Sequence, residues 1–217
     1  MDFDFSENNA GMLFRPYDKR DKTAALELLS GFWHLSSLAR KDDIRELLLN
    51  REFHRVLSSN NYCEVAESDG VFKGIIFADI DVIDAKNRPM DKIISRGYDA
   101  KLKALVGEDF RAYAQFLLLE RTRAELLESL GGTRFDAEIG LILADPACPE
   151  SALLLFERLR EVLRENLAKN YFIFSNTYCD FRLYQLNRCV KWAETEISLD
   201  CNNGAEMHIC RIYAADF

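Results

Sequence analysis

The segment from Ile142 to Leu159, which reads ILADPACPESALLLFERL, places a short turn between an apolar run and an amphipathic pattern. A strand that leads through a tight turn into a helix points the first backbone N–H groups of that helix at one spot, where they can bind an anion such as phosphate. This turn contains no glycine, and Pro146 and Pro149 each remove one amide donor. Glu150 adds a carboxylate that suits the helix dipole but repels an anion. The segment is therefore either an altered phosphate-binding corner or a plain connection between a strand and a helix.

A second group of residues near the C-terminus has the side chains that zinc prefers. Cys201, His208 and Cys210, together with Cys179 or Cys189, supply sulfur and nitrogen donors. His208 and Cys210 are two positions apart and share one face of a strand, but no Cys-x-x-Cys pair accompanies them. Buried thiols explain such cysteines more often than a metal does, and we expect no metal.

Composition limits the class of protein. A chain of 217 residues that is 48% hydrophobic and 29% charged is long enough to bury one sizeable core, so we expect a single domain over 1–217. A net charge of -8, with no segment that gathers Lys and Arg, argues against nucleic acid and favours a cationic or amine-bearing partner.

The same sequence predicts where the protein resides. Its first residues, MDFDFSENNAG, lack the basic start of a signal peptide, and no run of about 18 apolar residues predicts a membrane span. Six scattered cysteines are typical of free thiols in a reducing compartment. We therefore expect a cytoplasmic protein without a membrane partner.

The first half of the chain predicts a strand, two helices and a hairpin. MLFRPY alternates as a strand does, and KTAALELLSGFWHL and DDIRELLLNREFHRVL have helical spacing, with Asp42 placed to cap the second helix. YCEVAES and VFKGIIFADID flank Asp69-Gly70, which strongly favours a hairpin turn. Residues 84–133 are mostly polar and helical, and we expect them to form a helical insertion.

The second half predicts a strand, a helix, a short buried strand, a short helix and a closing hairpin. FDAEIGLILA and YFIFSN are the strands, and CVKWAETEIS and EMHICRIYAA form the hairpin around Asn202-Asn203-Gly204. The helix between the first two strands, SALLLFERLREVLRENLAK, has the following predicted core face: Ala152, Leu155, Phe156, Leu159, Leu163 and Leu167.

This order of elements, with FDAEIGLILADP and YFIFSNTYCDFRLYQ in its second half, resembles the GNAT superfamily of N-acetyltransferases. The helical insertion resembles one bacterial branch of that superfamily. The resemblance implies an α/β fold: a mixed, mostly antiparallel, seven-stranded sheet with helices on both faces. It also implies transfer of an acetyl group from acetyl-coenzyme A to an amine, with no metal.

The resemblance assigns roles to particular residues. Tyr184 matches a tyrosine that commonly protonates the leaving thiolate, and Glu138 matches a position that often holds the general base. A core tyrosine and an outward-facing strand residue are the competing interpretations of these two positions. The resemblance also implies contacts with the coenzyme from the following residues: Ile142, Leu143, Ala144, Glu150, Ser151, Ala152, Asn176 and Thr177.

Two departures from the family pattern leave a second function open. The turn at Pro146 lacks the family's Arg/Gln-x-x-Gly-x-Gly/Ala loop, and Arg188 and Cys189 stand where a glycine and an aromatic residue are usual. The alternative is a catalytically lapsed protein that keeps the fold as a binding or regulatory module. For the enzyme, the acceptor is a small-molecule or peptide amine that the sequence does not name, and a homodimer stays open.

Overall fold

The computed structural model describes residues 11–81, 83, 89–177, 179 and 189–217. Besides a short 3-10 helix at Lys19–Asp21, the described elements are β1 Met12–Pro16, α1 Lys22–Phe32, α2 Leu35–Leu38, α3 Asp42–Ser59, β2 Tyr62–Ser68, β3 Val71–Ile80, α4 Pro89–Lys103, α5 Gly107–Ser129, β4 Ala137–Ala144, α6 Glu150–Glu165, β5 Asn170–Ser175, β6 Val190–Cys201 and β7 Gly204–Asp216.

The strands form one seven-stranded sheet in the order β1-β2-β3-β4-β5-β7-β6. Every neighbouring pair is antiparallel except β4 and β5, which are parallel. At the β2–β3 turn, Asp69 has φ 51° and Gly70 has φ 76°, the left-handed values that a tight hairpin turn of this kind uses. The predicted α/β fold, with its mixed and mostly antiparallel sheet of seven strands, is confirmed.

Helices cover both faces of the sheet because successive strand side chains point to opposite sides. On β3, Ile75 and Phe77 pack against α1 and α3, whereas Ile76 and Ala78 pack against α6. A third buried cluster joins α2, α3 and α5 to β6 and β7. The sheet is thus enclosed on each face by apolar contacts, and its centre holds β3, β4 and β5.

Charged side chains hold the two helices between β3 and β4 against α3. Arg51, which is 4% exposed, donates to both carboxylate oxygens of Glu120 at 2.6 and 3.0 Å and to Asp99 at 2.9 Å. The hydroxyl of Tyr113 donates to the same Asp99 oxygen at 2.8 Å. Because these partners lie on α3, α4 and α5, one buried guanidinium joins three helices.

Two further ion pairs join β1 to β2 and to the short 3-10 helix. Arg15 on β1 donates to both oxygens of Asp21 at 2.8 Å and to Glu67 on β2 at 2.8 Å. Burial raises the pKa of the Asp21 carboxyl, but the Arg15 guanidinium and the Asp18 amide outweigh it, so that this pKa is lowered overall. Among the described helices, none is long and apolar enough to cross a membrane.

Candidate functional site

The parallel strands β4 and β5 part in the middle of the sheet. They pair at Ala137 with Tyr171, at Glu138 with Phe172 and at Ile139 with Ile173. Within the described residues they make no further pair, although β4 continues to Ala144 against β3 and β5 continues to Ser175 against β7. Strands that separate leave backbone donors and acceptors along their facing edges. The fold therefore opens a cleft between Gly140–Ala144 and the end of β5.

A β-bulge marks the point where the strands separate. Phe77 on β3 pairs with Leu141, but Ala78 pairs with Ile139, so Gly140 is the extra residue on β4. Bulges of this kind bend a strand and redirect its side chains, and they are common next to active sites. The bend explains how β4 leaves β5 while it stays paired with β3.

The side chain of Asn60 fills the space above Gly140. A Cβ on Gly140 would lie 2.6 Å from Asn60 Oδ1 and 3.0 Å from Nδ2. Asn60 is 7% exposed, and its Nδ2 donates to Val56 O at 2.7 Å and to Ser59 Oγ at 3.1 Å. The residue that follows α3 therefore packs directly on the bulge. This close packing is possible only because Gly140 has no side chain.

Two carboxylates lie side by side at the closed end of the cleft. Glu138 on β4 pairs in register with Asp79 on β3, and both oxygens of Glu138 accept hydrogen bonds from Arg123 of α5, Nε at 3.0 Å and Nη2. Partial burial, then the charges of Glu138 and Asp81, raise the pKa of the Asp79 carboxyl. The predicted base is therefore held by an ion pair, and a second carboxylate, whose own pKa is raised, lies beside it.

At the other end of β4, Asp145 stabilises the turn into α6 through hydrogen bonds to the backbone amides of the turn. Its Oδ1 accepts from the Ala147 amide at 2.9 Å, and its backbone oxygen accepts from the Cys148 amide at 2.7 Å. Its Oδ2 is 3.3 Å from Nζ of Lys73. The Ala147 amide, and then Lys73, lower the pKa of Asp145, so this carboxylate is charged at neutral pH.

The first turn of α6 is docked closely on β3. Ser151, which is fully buried, donates its hydroxyl hydrogen to Lys73 O at 2.8 Å. A Cβ on Gly74 would lie 2.7 Å from Leu143 O, 3.0 Å from Ser151 Oγ and 3.1 Å from Leu155 Cδ1. Gly74, on the neighbouring strand β3, is therefore the glycine that allows the backbones to pack closely here. The turn itself contains no glycine.

Asn176 and Thr177 lie where β5 ends at the cleft. Thr177 Oγ1 accepts a hydrogen bond from the Ile209 amide of β7 at 2.8 Å, and the buried Asn176 donates its amide to Cys179 Sγ at 3.4 Å. These contacts fix the end of β5 relative to β7. Tyr184 lies outside the described residues.

Four of the ten predicted site residues lie on β4, and Asn176 and Thr177 directly follow β5. Glu138 lies at the closed end of the cleft, Ile142, Leu143 and Ala144 lie along β4, and the first residues of α6 lie beyond its open end. Sequence reasoning missed Asn60, Asp79 and Arg123. Only Asp79 had a sequence signal, as a charged residue inside an apolar strand; the other two reach the site through the packing of α3 and α5.

The cysteines and His208 were the candidates for a metal site. Among the described residues, no group of three His, Cys, Asp or Glu side chains is placed to hold a metal ion, and none of the six cysteines forms a disulfide. Burial lowers the pKa of His208 and raises that of Cys210 to about 11, so both are neutral at pH 7. Both side chains lie buried on one face of β7.

Comparisons with known proteins identify the fold. No protein-family model matches the sequence, and no curated protein matches it. An agmatine N-acetyltransferase in its apo form matches with a TM-score of 0.55 at 12% identity, over 95% of this chain and 100% of that one. A polyamine N-acetyltransferase of Drosophila melanogaster matches with a TM-score of 0.50 at 12% identity, over 95% and 100% of the two chains.

A third structure carries the acyl donor. The Salmonella typhimurium protein yncA, assigned as an acetyltransferase and solved with acetyl-CoA, matches with a TM-score of 0.50 at 13% identity, over 94% of this chain and 93% of that one. These matches confirm that the chain has the GNAT fold.

Proposed function

We propose that this chain with the GNAT fold is an N-acetyltransferase that moves an acetyl group from a coenzyme A thioester to a small amine. The observation that carries the proposal is the cleft where β4 and β5 part at Gly140, with Glu138 and Asp79 at its closed end. A thioester arm can lie between the two strand edges and hydrogen-bond to their free backbone groups, whatever the side chains are. The carboxylates suit a protonated amine.

The chemistry needs one proton acceptor and one proton donor. A protonated amine first passes one proton to Glu138, directly or through water. Its nitrogen then bonds to the thioester carbonyl carbon, the C–S bond breaks, and the second nitrogen proton leaves to solvent. Arg123 occupies one lone pair on each oxygen of Glu138, so the proton must arrive at the second lone pair of one of these oxygens. Tyr184 is proposed to protonate the leaving thiolate, and backbone amides of β4 beyond the bulge to stabilise the oxyanion.

The acceptor we propose is a small aliphatic amine. Two of the matching structures are an agmatine and a polyamine N-acetyltransferase, whose named acceptors carry primary amines. The net charge of -8 and the carboxylate pair fit a cationic acceptor. We further propose that α4 and α5, from the insertion at 84–133, border the acceptor side, since Arg123 of α5 contacts Glu138.

The test is turnover with acetyl-CoA and a panel of agmatine and diamines, measured as released thiol and as acetylated amine by mass spectrometry. We expect Glu138→Gln to lower kcat by about 10²-fold or more, and the exposed Glu128→Gln to leave it unchanged. Tyr184→Phe should also lower kcat with little change in coenzyme affinity. Amine-independent thiol release, or full activity of Glu138→Gln, would contradict the assigned chemistry.

One observation favours the second function, a lapsed enzyme that serves as a binding module. The turn at Asp145–Cys148 uses its own amides and places carboxylates where the coenzyme diphosphate is expected. If no amine is acetylated and no coenzyme binds, the cleft has been kept for another ligand, and pull-down with partner proteins becomes the next experiment.

A further inference from the structure

The turn between β4 and α6 has almost no backbone donor left for a phosphate. The amides of Asp145, Ala147 and Cys148 donate to Lys73 O at 2.8 Å, Asp145 Oδ1 at 2.9 Å and Asp145 O at 2.7 Å. Pro146 has no amide hydrogen. Each of these groups would have to give up an internal bond before it could bind an oxyanion.

The first turn of α6 is occupied in the same way. The Ser151 amide donates to Cys148 O at 3.1 Å, and the Ala152 amide donates to Pro149 O at 3.2 Å. Pro149 lacks a donor, and the Ser151 hydroxyl is bonded to β3. Among the described contacts of this corner, the Glu150 amide has no acceptor, and the same residue carries a carboxylate.

The charges at the corner also oppose a diphosphate. Asp145 is ionised, and its Oδ2 lies 3.3 Å from Lys73 Nζ, so that it neutralises this cation. Glu150 accepts a hydrogen bond from Cys148 Sγ at 3.3 Å, which points its carboxylate back across the turn. Two carboxylates and one neutralised lysine give an environment that repels a dianion.

The separation of β4 from β5 suits the arm of the coenzyme, in contrast to the corner. β4 and β5 part beyond Ile139, and the edge of β4 from Gly140 to Ala144 is open toward β5. An extended arm with amide groups can pair with such an edge as an added strand does. The pantetheine part of coenzyme A is an arm of this kind, and its thiol end would face Glu138.

We propose that this protein recognises its acyl donor through the pantetheine arm and not through the diphosphate and nucleotide. The proposal rests on the proposed function, and it sets the specificity of that site: an acyl-pantetheine thioester is as good a donor as the complete coenzyme. The nucleotide end stays in solvent, beyond a corner that the chain has closed with its own bonds.

The experiment compares acetyl-CoA with S-acetylpantetheine. We expect values of kcat/KM within about tenfold of each other, because tenfold corresponds to a single retained interaction of about 1.4 kcal/mol. Isothermal titration should give similar Kd values for coenzyme A and pantetheine, and adenosine 3′,5′-bisphosphate should neither bind nor inhibit. A preference above about tenfold for the complete coenzyme, or binding of the bisphosphate alone, would overturn the proposal.

The binding measurement, taken together with turnover, distinguishes this proposal from the proposed function. Pantetheine binding without turnover would refute acyl transfer and support the inference. Turnover that requires the nucleotide would support acyl transfer and refute recognition through the pantetheine arm alone. If neither coenzyme A nor pantetheine binds, both proposals are wrong.

A pair of variants tests the physical cause. Glu150→Gln removes one charge at the corner, and we expect it to raise the affinity for coenzyme A by about threefold to tenfold and to leave the affinity for pantetheine unchanged. Glu157→Gln removes the same charge two turns along α6, about 10 Å away, where salt screens it. Equal effects of the two variants on coenzyme affinity would show that the local charge does not exclude the diphosphate.

Discussion

The contact between Asn60 and Gly140 gives a prediction that can be worked out from the structure. In Gly140→Ala, the new Cβ would lie 2.6 Å from Asn60 Oδ1, so the amide must move. The φ of Gly140 is not in the left-handed region, and the clash is therefore the only cost. Moving the amide breaks its bonds to Val56 O and Ser59 Oγ, at about 1 kcal/mol each. We expect the free energy of unfolding to fall by about 2 kcal/mol.

Removing the amide first should abolish that cost. Asn60→Ala loses the same two bonds, so it should also cost about 2 kcal/mol, and adding Gly140→Ala to it should cost little more. The double variant should then be destabilised by about 2 kcal/mol, and not by the 4 kcal/mol that additivity gives, which is a coupling of about 2 kcal/mol.

Urea denaturation followed by circular dichroism measures all four free energies of unfolding, and an unchanged slope with urea would show that the unfolded state is comparable. Gly31→Ala is the control, since a Cβ there meets nothing within 4 Å. Additive effects within about 0.5 kcal/mol would refute the proposed seating of α3 on the bulge.

Two more glycines and two ion-pair groups give further predictions. Gly74→Ala should lower the free energy of unfolding by about 1–3 kcal/mol because its Cβ meets the neighbouring backbone, whereas Gly97→Ala, in open space on α4, should raise it by about 0.5–1 kcal/mol in the same thermal or urea experiment. Arg51→Ala leaves three carboxylates without their shared cation, and the free energy of unfolding should fall by about 3–5 kcal/mol. The exposed Arg121→Ala should lower it by less than about 1 kcal/mol. Similar losses for the two variants in urea denaturation would contradict this reasoning. The lowered pKa of Asp21 gives stability that is present above about pH 4 and lost as the pH falls through that pKa, so acid titration of Asp21→Asn should lack this part of the acid transition.

Much of the fold could be predicted because local patterns fix it. The alternation in VFKGIIFADID and the Asp69-Gly70 turn each have one low-energy backbone solution, and the structure has the predicted hairpin there. Gly131 and Gly132 take φ 66° and 83° just after α5, the left-handed values with which glycine often ends a helix.

Two local predictions were wrong for physical reasons. Asp42 does not cap α3; Lys41 is the N-cap, and Asp42 is the first helical residue, where its carboxylate pairs with Arg45. Leu167 does not belong to the core face of α6, because the helix ends at Glu165 and Leu167 turns outward, 83% exposed with φ 60°. Periodicity alone does not set a helix boundary to within a residue or two.

The candidate site depended more on tertiary structure. The sequence showed that the turn before α6 lacks glycine and carries two prolines and an acid, but not that Asp145 and Ser151 close it with bonds to its own backbone and to β3. It also singled out Glu138, but not that Arg123 holds it.

Residue types and spacings of a few residues were enough to predict the strands, most of the helices and the poor chemistry of the turn for a phosphate. The place where β4 leaves β5, the side chain over Gly140 and the charges around Glu138 depend instead on tertiary packing. These contacts join residues that are far apart in the chain, such as Asn60 and Gly140, and they form only when whole helices pack on the sheet.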